Sequence, residues 1–472
     1  MKNDTNKSKY LMWLSAVIWI LIWFVISRIV GSDVILPSPV STVKALLGLL
    51  KTSGFYLNVL WTVLRTVIGI VVSFAVGAIL AAFSAKHMTL KEFLRLPVSF
   101  FKSIPVMAII IYVILVVKSD WVAIVVCFLM CFPIAYTNIL NGLQSIDRSR
   151  VELGRSLGLT GMQMMRYILR PALDTEIRTA LGLIAAMSWK VVVASEVLAI
   201  PKFSIGYQML NSKYYLETPD LFAYMIVLIV LSLLMEKIVA VLAALKPERL
   251  ERALEREAQA THRIENNGPV TLSFREVSKS FLNEEGIENP VLKDLSCEMS
   301  PGITAVLAPS GAGKTTMARL IAGFEEADSG EIKGREGARI AYLFQEDRLL
   351  PWLTVRGNML LSFLKGNDSG RDPEEAVRST AGNLEISETL GMMPSELSGG
   401  MAHRVALGRT LLFGGSVLIL DEPFRGLDTE LRGRIVDAIS EELRPEDRPK
   451  TVILITHDED LAGELADRII RI

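Results

Sequence analysis

Six apolar stretches lie in the first half of the chain, at 10–30, 57–84, 102–117, 121–140, 175–198 and 221–245. They constrain the fold more than any other feature. A bilayer core about 30 Å thick takes roughly 20 apolar residues as a helix. Inside lipid every backbone N–H and C=O must be paired within the protein, so such stretches cross as helices. The expectation is a six-helix membrane domain over 1–245, with the lipid bilayer as its surroundings. The third stretch is short and interrupted by Pro105. The first is not read as a cleaved signal, because it is long and the following Leu36-Pro37-Ser38-Pro39 lacks a small-residue cleavage pattern.

From residue 269 to 472 the pattern becomes that of a soluble α/β domain, and 472 residues are enough for two or three domains. Between the halves, 246–268 is charged and rich in helix formers, with Glu251/Glu255 and Arg252/Arg256 at i, i+4 spacing. It reads as a solvated helical linker ending near Asn266-Asn267-Gly268-Pro269; a membrane-surface helix is the alternative, with a thin apolar face. The net charge is −1, so no basic field points to nucleic acid. Cys127 and Cys131 sit in an apolar run and Cys297 in the soluble half. They read as small core residues, since no further ligands complete a metal set.

Charge sets the orientation. Lys86, Lys91 and Arg95 follow the second stretch, Arg148, Arg150, Arg155, Arg166 and Arg170 follow the fourth, and Lys246, Arg249 and Arg252 follow the sixth. The positive-inside rule then puts both termini in the cytoplasm.

In the soluble half, the apolar run 303–307 leads into Ala308-Pro309-Ser310-Gly311-Ala312-Gly313-Lys314-Thr315-Thr316 and a helical pattern. Small residues between a strand and a helix leave backbone N–H groups free to surround phosphate. Lys314 is placed for the β- and γ-phosphates and Thr315 for Mg²⁺. Alanine at 308, where such loops usually begin with glycine, is harmful only where φ must be positive. A second apolar run, 417–420, ends in Asp421-Glu422. Asp421 suits the Mg²⁺ and Glu422 suits orienting the attacking water of phosphoryl transfer. Ser398-Gly399-Gly400-Met401 places a hydroxyl and open amides before a helix, a further anion-binding end.

These motifs in this order resemble the nucleotide-binding domain of ABC transporters. The resemblance implies that Ser398, Gly399, Gly400 and Met401 face ATP held by a second copy of the chain. It implies further that Gln345 is the Q-loop glutamine, sensing both Mg²⁺ and the permease. His457 becomes the switch histidine and Asp428 the dimer contact. Phe281 fits the aromatic that stacks on adenine, or is a plain strand aromatic. His403 and Gly408 stand where the family usually has Gln and Ala.

The basic loop 141–172, with Glu152, Gly158 and Pro171, resembles the coupling loop of bacterial importer permeases, although Leu153 and Gly154 replace the usual alanines. The membrane half is similar to permeases of the nitrate/sulfonate/taurine/bicarbonate group. It carries Leu36-Pro37-Ser38-Pro39, Ser103-Ile104-Pro105 and Ala194-Ser195-Glu196. Ionisable residues inside a membrane face protein or water. Lys190 and Glu196 are therefore candidates for the substrate path, with a structural or gating role open for Glu196.

The implied fold is a type I importer-like α-helical membrane domain fused to an α/β P-loop ATPase domain. The implied function is ATP-driven import of a small, anionic solute across the cytoplasmic membrane of a bacterium. The chain acts as a homodimer and takes substrate from an extracytoplasmic binding protein. Two rivals are an ABC half-transporter exporter and an ATP-driven signalling or mechanical membrane protein without cargo.

Overall fold

The computed structural model describes residues 2–244, 246–261, 268–282, 286, 288–309, 311–366, 370–444 and 449–472, without side chains at 2–9 and 12. The chain separates into two compact units, residues 1–146 with 172–244, and residues 147–171 with 245–472.

The first unit is helical: α1 (Lys2–Val30), α2 (Pro39–Leu49), α3 (Ser53–Lys86), α4 (Met88–Ser103), α5 (Val106–Val116) and α6 (Ser119–Ser145). The next elements, α7 (Arg148–Ser156), α8 (Gly161–Gln163), a π-helical turn at Met164–Leu169 and α9 (Arg170–Ala172), lie almost wholly in the second unit. The first unit resumes with α10 (Asp174–Ala199), α11 (Ile205–Tyr214) and α12 (Thr218–Ala243). Of these, α1, α3, α6, α10 and α12 contain windows long and apolar enough to span a bilayer.

The expected third span at 102–117 is corrected. Its core, α5, has 11 residues, or about 16 Å at 1.5 Å per residue, too short for the bilayer core. Pro105 lacks the N–H that would continue α4, and α4 and α5 meet at a bend of 106°. Only α4 and α5 together, 88–116 with Pro105 at the break, are long and apolar enough to cross, as a broken span or a re-entrant loop.

Small residues set the packing of this unit. A Cβ on Gly69 would stand 2.5 Å from Cys127 Sγ, and one on Gly77 would stand 2.5 Å from Ala135 Cβ. Glycine at both points lets α3 and α6 approach closely, the usual basis of helix association in lipid. Many large apolar side chains elsewhere, such as Trp13, Trp19, Ile111 and Leu234, are exposed on the protein, as lipid-facing surfaces require.

In the second unit, α13 (Pro247–Gln259) is followed by β1 (Leu272–Leu282), β2 (Glu288–Met299), β3 (Gly302–Leu307), α14 (Lys314–Ile321), β4 (Ser329–Lys333) and β5 (Ile340–Leu343). Then come α15 (Val355–Leu360), α16 (Pro373–Asn383), α17 (Gly399–Phe413), β6 (Val417–Asp421), α18 (Thr429–Leu443), β7 (Thr451–Thr456), α19 (Glu459–Leu465) and β8 (Arg468–Arg471). A sheet of order β5-β6-β7-β3-β8 has parallel pairing throughout, beside an antiparallel sheet of order β2-β1-β4. Strands β3, β6 and β7 are almost entirely buried, as continuous apolar runs covered on both faces.

The expected solvated linker is also corrected. Leu250, Leu254 and Ala258 recur at i, i+4 and i+8 on α13 and are 7%, 0% and 1% exposed within the second unit's core. Its apolar face is thin but fully used. Residues 262–267, including Asn266 and Asn267, lie outside the described residues.

Candidate functional site

Strand order brings the motifs together. Neighbouring strands β6, β7 and β3 run parallel, with Asp421 beside Ile455 and Leu307 beside Thr456. Segments that follow these three strands therefore emerge at one sheet edge, the carboxyl end, where open α/β sheets bind ligands. This is why 308–316, 421–422 and 457 share one site although more than 100 residues separate the first two.

Gly311 and Gly313 adopt φ of +84° and +94°, a region that strains any residue with a Cβ. Ala308 has no positive φ among the residues that do, so its methyl adds no backbone strain. Gly313 caps the N-terminus of α14, and Lys314 Nζ donates to the Ala308 carbonyl across the loop. Ala312 N–H donates to Pro309 O at 3.3 Å. Thr315 is exposed and Thr316 half-buried on the first turn of α14. Ser310, the remaining loop residue singled out from the sequence, lies outside the described residues.

Thr315 Oγ1 donates to Asp421 Oδ2 at 3.3 Å. Burial pushes the Asp421 carboxyl up to about 6, and the neighbouring Glu422 charge adds to the rise; Thr315 and Lys314 oppose it. A buried carboxylate beside a hydroxyl at a helix start is a donor set for a hard divalent cation. Gln345, the third residue in the Mg²⁺ expectation, is exposed on the segment after β5.

Glu422 follows β6 with φ +53°. Its N–H donates to Ile455 O at 2.9 Å, and its carboxylate meets His457 Nδ1 at 2.8 Å and Thr456 Oγ1 at 3.4 Å. His457 is 76% exposed, so this pair stands at the open side of the site.

Ser398 caps α17, accepting from Met401 N at 3.3 Å, and Ser398 and Gly399 are exposed. Gly400 approaches the loop of Asp428, since a Cβ on it would be 3.5 Å from Gly426 O. Asp428 is exposed and caps α18 by accepting from Leu431 N at 2.9 Å. Phe281 is 37% exposed on β1, with Lys279 Nζ 5.4 Å from its ring centre.

The loop 147–171 is built into this same unit. Gly158, at φ +62°, ends α7, with Leu159 N donating to Gly154 O and Gly158 N to Arg155 O, a Schellman closure. A Cβ there would also meet Lys365 Cδ at 2.8 Å. Glu152 receives Arg319 at 3.1 and 2.8 Å through both oxygens, and Arg348 Nη1 at 2.9 Å. The Arg319 hydrogen bond, with Arg348 beside it, holds the Glu152 carboxyl below the usual range against desolvation. Arg319 lies on α14, the helix that starts at Lys314. Helix α13 completes the joint: Glu257 accepts from Tyr167 Oη at 2.6 Å and Gln163 Nε2 at 2.8 Å, and Glu251 accepts from Thr354 N at 2.6 Å.

In the first unit, Lys190 is exposed on α10. Glu196 is fully buried and accepts from Thr62 Oγ1, Arg65 Nη1 at 2.9 Å and Gly206 N at 3.2 Å. These contacts within its own unit fit the structural role left open for Glu196. Arg65 also donates to Phe203 O at 2.7 Å and Asp120 O at 3.2 Å. Arg65, Arg319 and Arg348 went unnoticed in the sequence; an arginine inside an apolar run was the available signal for the first.

The chain matches the family model "ABC transporter" over residues 292–425 and "Binding-protein-dependent transport system inner membrane component" over 73–251. It is 39% identical over 183 residues to the aliphatic sulfonates import ATP-binding protein SsuB 1 of Pseudomonas savastanoi pv. phaseolicola, covering 39% of this chain and 74% of that protein. It is 39% identical over 209 residues to the aliphatic sulfonates import ATP-binding protein SsuB of Bacillus subtilis, covering 42% of this chain and 78% of that protein. The dimeric structure of MJ0796, a bacterial ABC transporter cassette, is similar at 26% identity and TM-score 0.38, covering 43% of this chain and 94% of that one. The chain belongs to the ABC transporters, as an importer-type permease joined to an ATPase that couples ATP hydrolysis to transport.

Proposed function

We propose that two copies of this chain form an importer for a small organic anion of the sulfonate class. An extracytoplasmic binding protein delivers the anion. The observation that carries this reading is Glu152, a permease-loop residue gripped by Arg319 of the helix that follows the phosphate loop. The ATPase unit and both termini lie in the cytoplasm, and the membrane is the inner membrane of a bacterium, as the basic loops support.

ATP lies on the amides of 311–316 with Lys314 at its outer phosphates, and Phe281 stacks on the base. Thr315, Asp421 and Gln345 would hold Mg²⁺, which would neutralise phosphate charge. The raised Asp421 carboxyl fits that role, because a cation offsets the cost of a buried charge. Glu422 orients the attacking water and His457 fixes the glutamate by its 2.8 Å contact. Ser398, Gly399, Gly400 and Met401, the first two exposed and the others half-buried, complete the site of the partner chain, with Asp428 at the shared surface. Closure pulls α14, and Glu152 passes that motion into α7, the helix that Gly158 terminates. Lys190, charged and exposed on an apolar helix, faces the path of the anion.

Reconstituted with its binding protein in liposomes, the chain should accumulate a sulfonate only with ATP on the ATPase side. Glu422→Gln should bind ATP and lower turnover by about 10²-fold or more. Normal turnover in that variant contradicts the assignment. Efflux rather than uptake contradicts import. Unchanged affinity and uptake in Lys190→Met removes that residue from the path.

A further inference from the structure

A polar chain joins the Glu152 contact to Glu422, and His403 is its central member. His403 lies on α17 and is 2% exposed. Its Nδ1 is 2.7 Å from Asp347 Oδ1, and its Nε2 is 3.0 Å from the Glu422 carbonyl oxygen. Both partners are acceptors in separate segments, on opposite sides of the ring; the neutral imidazole donates to one of them and only the imidazolium donates to both. Arg409, on the same helix, donates to Asp347 O at 2.8 Å and Arg348 O at 3.1 Å, fixing the 347–348 backbone. Arg348 donates in turn to Glu152 Oε2 at 2.9 Å. At the other end the Glu422 backbone sits at φ +53°, a conformation that persists only where the surroundings hold it.

We propose that His403 is a positioning residue for hydrolysis, holding the Glu422 peptide in its left-handed turn and tying it to the segment that grips Glu152. The inference rests on the reading of Glu422 as the residue that orients water. Glutamine, usual at this position in the family, cannot replace both contacts. One amide NH₂ reaches one acceptor, and its oxygen then faces the Asp347 carboxylate. An asparagine at 347 supplies the missing donor.

The test is steady-state ATPase of the full chain in detergent micelles, with fluorescent-ATP binding and thermal unfolding measured alongside. His403→Ala should lower kcat about tenfold while KM for ATP stays within about twofold. His403→Gln should recover part of that loss, and His403→Gln with Asp347→Asn should recover more than His403→Gln alone. In the His403→Ala background, adding Glu152→Gln should cost less than in the wild type, because the route between them is already cut. Unchanged kcat in His403→Ala overturns the proposal, as does a loss confined to KM. A double variant no faster than His403→Gln also overturns it, and this holds even if His403→Ala does not fold. Full turnover in Glu422→Gln would instead refute the reading of Glu422. A dead Glu422→Gln beside a fully active His403→Ala refutes the positioning role alone.

Discussion

Glu152 shows how one carboxylate can serve two arginines from different segments. Arg319 approaches as a fork on both oxygens, the geometry in which a guanidinium binds a carboxylate with direction as well as charge. Reversing one partner leaves like charges facing. Glu152→Arg or Arg319→Glu alone should uncouple ATP hydrolysis from uptake, and the combined swap should restore part of the uptake, read as sulfonate transported per ATP. The swap leaves Arg348 facing a new arginine, so full recovery is not expected. The depressed Glu152 carboxyl carries a pH signature. A group whose folded pKa lies below its unfolded value adds stability that is present above the unfolded value and lost as pH falls through the folded one. Melting temperature should therefore fall more steeply below about pH 4.5 in the wild type than in Glu152→Gln. Equal slopes contradict this. Residues carried by contiguous motifs and brought together at the strand ends, such as Thr315 and Asp421, were legible in the sequence as neighbours. Residues defined by distant partners were not: Arg65 meets Glu196 across 131 positions and Arg348 meets Glu152 across 196.

Among the elements, α13 departs most from its sequence pattern. Charges dominate it, and their i, i+4 spacing reads as solvated. Three apolar side chains nevertheless seat it in the second unit, while Glu251, Glu255 and Glu257 bind specific partners. Short motifs of charge do not reveal whether an acid pairs along its own helix or with a neighbour. Leu254→Ala should cost about 2–4 kcal/mol, the usual range for a buried leucine, and lower the unfolding temperature of the full chain. A loss under 0.5 kcal/mol contradicts the packed position. Gly158→Leu meets both a left-handed φ and Lys365, so it should impair uptake more than ATP binding. The α4–α5 break shows the reverse case. Pro105 was visible, yet an apolar run cannot say whether proline kinks one span or ends a helix with a turn of 106°.

For the whole molecule, sheet order assembles one face of a nucleotide site from three loops, while Ser398 and Gly399 stand exposed at the start of α17 on the same unit. Permease and ATPase sequences were separable because lipid and water impose different patterns, long apolar runs against buried strands with polar loops. The sequence puts 147–171 in the membrane half, as a loop resembling a coupling loop; its packing into the second unit depends on distant partners that composition does not reveal. The proposed pairing of two chains in the working ATPase can be read by native mass spectrometry of Glu422→Gln in nanodiscs with ATP and Mg²⁺. Particles should hold two chains, each 52.2 kDa, with two bound nucleotides. Single-chain particles that bind ATP, together with wild-type hydrolysis by single chains, would contradict it.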